Sequence, residues 1–581
     1  MTNQEIAAAF NQIGELLELT GANVFRVRAY ARASQMIESL PDSLATIARE
    51  GGAKALKELP GIGEDLAAKI VEMTETGGLT YFDELKEQVP AGLIELLKFE
   101  GLGPKKVLKL WQDFEVTDTA GLEKFLASGK LEEEKGWGPK SVENLKRSIL
   151  ERTNLAARIP LFQALPLAES VAGSLRQSGL CERVEIAGSA RRRKETVGDL
   201  DFLATGKDVE KIMDLFCGLP QVERVMQRGD TKASVRLALG LQADLRVVDD
   251  AVFGAALHYF TGSKEHNVAL RTLAQKKGVT INEYGVHKGT ADKKGKLLAS
   301  RTEADVYAVL KMDEVPPELR ENRGEVELAL AHDLPRLIEE SDLKGDLHTH
   351  SDVSDGALPL EEMAAAARDR GYEYYAITDH ASAMGMVRGI KADTVADFVA
   401  RVRAAEKKVK GIRLLAGAEV DILEDGRLYL PDDALALLDW VVASPHQHLR
   451  QEPAAATARL VKAVSHPLVD MIGHPSGRVL GKRGGLEPDW TQIFAAAAKH
   501  GTAMELNCSP DRVDLSDALA YQAKRAGVGI LLDSDAHSPD GFDRRYGIFQ
   551  ARRAWLTPAD VLNALPWEKF EKQVLRTKKK A

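Results

Sequence analysis

From Gly345 onward one pattern recurs along the chain. A short apolar run that reads as a β-strand ends near a histidine, aspartate or glutamate, and an alanine-rich helical stretch follows. "YYAITDH" ends at His380, "LLAGAEV" contains Glu419, "DWVVASPH" ends at His446, "VDMIGHP" contains His474 and "GILLDSDAH" ends at His537. Stretches such as "LEEMAAAARDRG" and "IFAAAAKHG" read as the helices between them. This alternation predicts a β/α barrel-like domain with its chemistry at the C-terminal ends of the strands.

The segment opens on "GDLHTHSDVSDG", Gly345–Gly356, which packs two histidines and three aspartates into twelve residues. Nine of the thirteen histidines lie at or after His348, and scattered core histidines would not cluster in this way. Imidazole combined with carboxylate suits Zn²⁺, Mn²⁺ or Fe²⁺. His446 and His448 stand two residues apart, and Asp352 and Asp355 three apart, so either member of each pair is a candidate ligand. Arg478, Lys482 and Arg483 follow "GHPSG" closely and read either as phosphate or DNA contacts or as solvated charge.

A chain of 581 residues is too long for one core, so several domains are expected. Hydrophobic residues make up 44% and charged residues 28%, an ordinary globular balance. The net charge of −9 excludes a chain that is basic throughout, although a DNA-binding face needs only a local patch. Cys181, Cys217 and Cys508 form no CxxC pair and read as inert thiols in a reducing compartment. The start "MTNQEIAAAF" has no basic region leading into an apolar one, and no apolar run approaches transmembrane length. The expected location is the cytoplasm, with no membrane partner.

The first third of the chain repeats itself. "LPGIGEDLAAKI" begins at Leu59, "FEGLGPKKVLKL" at Phe99 and "EKGWGPKSVENL" at Glu134. Each sets an apolar residue between two glycines, ahead of a helical pattern. Glycine lets the backbone turn tightly and approach a ligand, and the following helix offers free N–H groups and a positive dipole end. The unit resembles the helix-hairpin-helix, which grips DNA backbone without reading sequence. That resemblance implies DNA contacts at Gly61, Gly63, Gly101, Gly103, Gly136 and Gly138, with phosphate charge from Lys105, Lys106 and Lys140.

From about Ala157 helix and strand patterns mix. "VEIAGSARRRKETVGDLDFLAT", Val184–Thr205, reads as a strand, a Gly188–Ser189 turn, the arginines 191–193 and a second strand. Residues two apart on a strand share a face, so Asp199 and Asp201 sit side by side. Their repulsion is costly unless a cation lies between them. Asp244 in "QADLRVV" supplies a third carboxylate on another predicted strand. Three carboxylates on neighbouring strands can hold two Mg²⁺ for phosphoryl transfer, and a Gly-Ser turn with arginines suits a triphosphate.

"GS" followed by "GDLD", then "RGDTKASVRL", "ADLRVV", "HYFTGSKEHNVALR" and "INEYG", resemble the family X DNA polymerases in order and spacing over about Ala157 to Asp313. The resemblance implies that Asp199, Asp201 and Asp244 hold Mg²⁺ or Mn²⁺ and carry catalysis. It places Gly188, Ser189, Arg192 and Gly262 at the incoming nucleotide. Tyr259 and Phe260 fall at its sugar, where they exclude a 2′-hydroxyl, and Asn267 and Arg271 at the nascent base pair. Thr231 and Lys232 fall at the DNA. Animal repair polymerases of this family carry a Schiff-base lysine in the helix after the first hairpin, and Lys69 stands at the matching position. Asp65 replaces a lysine there, so a lyase nucleophile and a solvated surface lysine are both open readings.

The C-terminal motifs "DLHTH…SDG", "TDH", "GAE", "SPH", "GHP" and "SDAHS" resemble the PHP (polymerase and histidinol phosphatase) domain over about Leu343 to Val574. The resemblance implies up to three divalent metals. His348, His350, Glu419 and Asp535 would hold one, Glu419, His446 and His474 a second, and Asp355, His380 and His537 a third.

The expected chain is multidomain α/β. Residues 1–80 form a lyase-like helical region with a helix-hairpin-helix, and 81–156 helical fingers with two further hairpins. Residues 157–248 form a nucleotidyltransferase palm and 249–317 a thumb. Residues 318–342 are a linker, 343–575 a distorted β/α PHP barrel and 576–581 a basic tail. The expected function is DNA repair synthesis. A monomer fills short gaps in primer-template DNA from deoxynucleoside triphosphates, and a 3′–5′ exonuclease or phosphoesterase processes 3′ ends. An end-processing nuclease and a DNA-end-bridging scaffold, each with a palm that mainly binds DNA, are the alternatives.

Overall fold

A computed structural model gives the fold. It describes residues 3–127 apart from 21, 39–43, 91, 98–101 and 103, then 131, 137, 142 and 145, and residues 158–290, 293–382 and 389–575. The contacts divide the chain into two units, residues 1–157 and 158–581.

The first unit is helical. One hydrophobic core runs from Ile6 to Leu145, so the segments expected as separate lyase-like and fingers regions share it. The first hairpin joins the helices Leu44–Leu56 and Glu64–Thr76. Its turn works as the sequence suggests: Ile62 is buried between exposed Gly61 and Gly63, and Gly61 takes a φ of 84° that other residues avoid. The second hairpin lies between Gly92–Leu97 and Pro104–Phe114, with Leu102 buried in its turn and Lys105 and Lys106 in its second helix. Lys106 Nζ lies 4.5 Å from the ring centre of buried Trp137. Gly101, Gly103, Gly136, Gly138, Lys140 and the basic tail lie outside the described residues.

In the second unit the palm strands are β1 (Arg183–Ile186), β2 (Asp199–Thr205), β3 (Val222–Arg228), β4 (Lys232–Leu237) and β5 (Gln242–Val247), in sheet order β1-β2-β5-β4-β3. Burial alternates along β5, the period of a sheet with one packed face. The thumb sheet is β6 (Val279–Asn282), β7 (Gly285–Thr290) and β8 (Lys293–Leu297), preceded by the helices Phe253–Thr261 and Lys264–Lys276.

The barrel strands are β9 (Gly345–Asp346), β10 (Tyr374–Ile377), β11 (Arg413–Asp421), β12 (Trp440–Ser444), β13 (Met471–Ile472), β14 (Ala503–Glu505) and β15 (Ile530–Leu531). They pair in chain order, all parallel, and His380–Ala381 adds a short strand against β11. Helices cover such a sheet, so its strands read as continuous apolar runs, and β10 and β12 are buried throughout. Just past β9 and β15 the chain pairs again: Thr349 bridges Ala536, and His350 N–H donates to Ala536 O at 2.9 Å. This brings the two ends of the sheet together on the side where the histidines stand.

One hydrophobic core links the palm helix Leu161–Gln177 and palm sheet to the barrel, from Leu161 to Val561. The stretch 318–342, expected as a linker, is partly interior. Arg320 is fully buried and pairs with Glu303 at 2.5 Å, and buried Glu325 stands 2.6 Å from His266 Nδ1.

Candidate active sites

The palm carboxylates meet through strand register. β2 runs parallel to β5 with Asp201 opposite Asp244, and Asp199 lies two residues before Asp201 on the same face. Gly188 comes so close to Asp201 that a β-carbon there would overlap the carboxylate, and its φ of 60° also favours glycine. Burial pushes Asp201 up to about 7, with Asp199 and Asp244 adding to the rise. Burial and then Asp244 raise Asp199 as well. Asp244 goes the other way. Burial opposes its ionisation, but Lys232 Nζ at 2.8 Å, Gln242 Nε2 at 2.9 Å and Ser234 hold it below the usual range. Two raised, adjacent carboxylates fit divalent cations, which would relieve the repulsion that now favours protons.

In metal-free protein this has a measurable sign. A carboxyl that ionises at about 7 when folded and at its ordinary 3.8 when unfolded contributes stability below the lower value and loses it as pH rises through the higher one. In EDTA the wild type is therefore expected to lose melting temperature relative to Asp201→Asn as pH rises from about 4 to 7, to level off above that, and to regain it when Mg²⁺ is added. Parallel melting curves at every pH would show that Asp201 is not raised.

Beside the carboxylates lies a polar cavity of about 440 Å³. The residues assigned to the nucleotide all line it: Gly188, Ser189 and Arg192 from one wall, Tyr259, Phe260 and Gly262 from a second, Asn267 and Arg271 from the helix after it. Asn267 Nδ2 donates to Tyr259 O at 2.8 Å, and the rings of Tyr259 and Phe260 meet edge to face at 5.1 Å. Arg158, Lys194 and Lys264 also line it and were missed from sequence; Lys194 was hidden inside the basic run. Of the three arginines, only Arg192 faces the cavity. Arg191 is paired with Glu303, and Arg193 lies over the Phe549 ring at 4.5 Å. Thr231 is exposed, and Lys232, expected at DNA, reaches Asp244. Lys69 is engaged by Asp65, is largely covered and lies 5.0 Å from the Tyr81 ring centre.

In the barrel, five of the nine C-terminal histidines converge on Glu419. Its Oε1 lies 2.8 Å from His474 Nε2, 3.1 Å from His446 Nε2 and 3.3 Å from His348 Nε2. Its Oε2 lies 2.7 Å from His380 Nδ1 and 3.8 Å from His350 Nε2. Among the described residues, four groups of donor atoms are close enough to share an ion: His348, Glu419 and His474; His348, His350 and Asp535; His380, Glu419 and His446; and His350, Asp355, His380 and His537. The expected sets thus overlap, with His348 and His380 each serving two groups and His350 joining Asp355. His448, at 3.6 Å from Glu424, and Asp352 stand outside these groups. Asp355 and His537 are 42% and 40% exposed while His348 and Glu419 are fully buried, so the centre opens on the Asp355–His537 side.

The donor set fits cations. His350 Nδ1 and His474 Nδ1 are buried atoms without a hydrogen-bond partner, the condition a bound ion relieves. Protons partly fill that role. Burial opposes a charged His380, yet Glu419 and Asp355 push it up to about 11, and Glu419 and Asp421 likewise push His446 up to about 9. Burial pushes His350 down to about 4 and His474 down to about 3, leaving them neutral, as a ligand must be.

Outer residues hold the ligands. Glu505 stands 2.8 Å from His348 Nδ1, Asp421 stands 2.7 Å from His446 Nδ1, and Asn507 Nδ2 donates to Asp535 Oδ2 at 3.0 Å. Sequence reading missed these three; their one signal is the recurrence of acidic or amide residues at strand ends. Arg512, also missed, has Nε 3.6 Å from Asp535 Oδ2. Arg478 is neither a phosphate contact nor a solvated charge: it is mostly buried and pairs with Glu195 of the palm at 2.7 Å. Arg483 is exposed and donates to Gly477 O, and Lys482 is exposed. Among the described residues no helix is long and apolar enough to cross a membrane.

A nucleotidyltransferase-type palm with a polar cavity, followed by a parallel barrel with a histidine–carboxylate centre, defines a two-centre protein built for phosphate chemistry. Residues 1–79 match the helix-hairpin-helix domain family, 256–321 the DNA polymerase beta thumb and 346–508 the PHP domain. The DNA polymerase/3'-5' exonuclease PolX of Bacillus subtilis (strain 168) is 35% identical over 567 residues, 97% of this chain and 98% of that protein. A probable phosphatase of Caldanaerobacter subterraneus subsp. tengcongensis is 30% identical over 203 residues, 33% of this chain and 75% of that protein. A probable phosphatase of Acetivibrio thermocellus is 29% identical over 248 residues, 40% of this chain and 96% of that protein. The chain belongs to the family X DNA polymerases that carry a C-terminal PHP domain.

Proposed function

We propose that the chain fills short gaps in DNA by template-directed nucleotide addition in its palm and trims or cleans 3′ ends in its barrel. The observation that carries this is the register that sets Asp201 opposite Asp244 beside a nucleotide-sized polar cavity, in a chain that aligns with a polymerase–exonuclease over nearly its whole length. Asp199, Asp201 and Asp244 would hold Mg²⁺ or Mn²⁺, which supplies positive charge to the transferring phosphoryl group. Ser189 and Arg192 bind the triphosphate, Tyr259 and Phe260 pack on the sugar, and Asn267 and Arg271 meet the nascent base pair. The hairpins grip the backbone through Gly61, Gly63 and their counterparts.

In the barrel, His348, His350, Asp355, His380, Glu419, His446, His474, Asp535 and His537 would hold up to three Mn²⁺, Zn²⁺ or Fe²⁺ ions, which supply a nucleophilic water and Lewis acidity at the 3′-terminal phosphate. Glu505 and Asp421 orient His348 and His446 for that task. Lys69, engaged by Asp65, is given no lyase role. The protein works as a monomer in the cytoplasm.

The test is a one-nucleotide-gapped duplex with a labelled primer. With the complementary deoxynucleoside triphosphate and Mg²⁺ or Mn²⁺ the primer is expected to gain one residue; without nucleotide it is expected to shorten. Binding should weaken steeply with salt and vary little with sequence. Shortening without addition would favour an end-processing nuclease, and binding without either reaction a scaffold.

A further inference from the structure

The turn that carries Arg192 is held from outside the palm. Gly188–Arg191 form a single helical turn, and the chain leaves it at Arg192 and Arg193, whose carbonyls lie beyond the turn's own hydrogen bonds. Arg193 then takes a φ of 58°, a left-handed conformation that costs a non-glycine residue energy and persists only where its surroundings fix it. Those surroundings come from the barrel helix Arg545–Arg553. Gln550 Nε2 donates to Arg193 O at 2.7 Å, and Arg553 Nη1 donates to Arg192 O at 2.8 Å. Phe549 lies under the Arg193 guanidinium at 4.5 Å, and Arg478, from the loop after His474, pairs with Glu195 at 2.7 Å.

The side chain of Arg192 is tied to the same helix. Its Nε donates to Glu321 Oε1 at 3.1 Å, and that oxygen also accepts from Arg553 Nη1 at 3.0 Å. Arg553 is braced in turn by Asp517 at 2.9 Å. Arg192 Nη1 donates to Thr261 O, on the opposite cavity wall. Its guanidinium is thus oriented by Thr261 and by a carboxylate that the barrel shares.

From this geometry we infer that the barrel completes the nucleotide site: Arg553 and Gln550 are positioning residues that set Arg192 in the cavity. The inference rests on the reading of Arg192 as a triphosphate contact. A guanidinium fixed before the ligand arrives loses less freedom on binding, so loosening its supports weakens nucleotide binding more than it slows the step that follows.

The experiment uses the full chain with saturating gapped DNA and measures single-nucleotide addition at varied nucleotide concentration for Arg553→Met, Gln550→Leu, Arg192→Ala and the double variant Arg192→Ala/Arg553→Met. KM for nucleotide is expected to rise about tenfold in Arg553→Met and about threefold in Gln550→Leu, with kcat within about twofold and 3′-end hydrolysis unchanged. The double variant should match Arg192→Ala alone, because Arg553 acts through Arg192. If Arg553→Met fails to fold, shown by early melting and lost hydrolysis, Gln550→Leu decides, since it removes one amide donor at nearly constant volume. An unchanged KM in Arg192→Ala would overturn the cavity reading and this inference with it. A raised KM in Arg192→Ala beside wild-type values in Gln550→Leu and Arg553→Met, or additive effects in the double variant, would overturn the inference alone.

Discussion

Asp201→Ala is expected to reduce nucleotide addition by about a thousandfold or more, the scale on which losing one member of a preorganised electrostatic set acts, and to leave 3′-end hydrolysis at the wild-type rate. The reason is separation of the two donor sets. Asp199 and Asp201 lie on β2 and Asp244 on its neighbour β5, whereas the barrel's donors come from residues 348 to 537. Removing Asp201 takes away one of two adjacent raised carboxylates, so the variant should fold at least as well as the wild type at neutral pH. Primer extension and primer shortening, measured on one preparation, check the outcome. Equal loss of both activities would refute two independent sites.

What the sequence disclosed about each centre follows from how each is built. The barrel's donor residues are legible because a histidine or acid at the end of an apolar run has few structural uses, and several such runs point to one place. The outer layer is less so. Glu505 ends a buried strand and holds His348, yet alone it reads as an ordinary strand-end acid. His474 and Asp535 carry positive φ values of 26° and 55°, a backbone demand that no residue type announces there.

In the palm, the two-residue spacing of Asp199 and Asp201 was visible, because strand period is local. The fates of the basic residues were not. Arg191, Arg192 and Arg193 are chemically identical neighbours, and what separates them is a set of partners far along the chain: Glu303, Glu321 and Phe549. Arg478 was misread for the same reason, since its carboxylate, Glu195, is supplied by another domain. The supposed linker failed likewise, because Arg320 and Glu325 are interior only by virtue of Glu303 and His266. Local pattern gave elements and ligand types; long-range pairing decided which charges face a ligand.

Glu419→Gln is expected to lose bound metal from at least two of the barrel positions and to lower 3′-end hydrolysis by about a hundredfold or more, beyond what outer-layer changes cost. Nucleotide addition should persist, since the palm has its own carboxylates. One oxygen of Glu419 serves His474, His446 and His348, and the other serves His380. Burial opposes its ionisation, but the imidazoles of His446, His380 and His348 hold it well below the usual carboxylate range, so it is an anion throughout the working pH range. Two cations held near one another repel strongly in a partly dry site, and a shared anion offsets that repulsion. Glutamine keeps the volume and one oxygen but removes the charge, and its amide would turn donors toward neighbours that already bear protons. His380→Ala provides the contrast. His380 belongs to the Asp355 group and to the His446 group, so its loss should empty chiefly the open side of the centre and spare the position built by His348, His350 and Asp535. Metal counting on purified protein, paired with the two activity assays, separates these outcomes. Full metal content and full hydrolysis in Glu419→Gln would show that its carboxylate is not shared, and the donor groups would have to be reassigned.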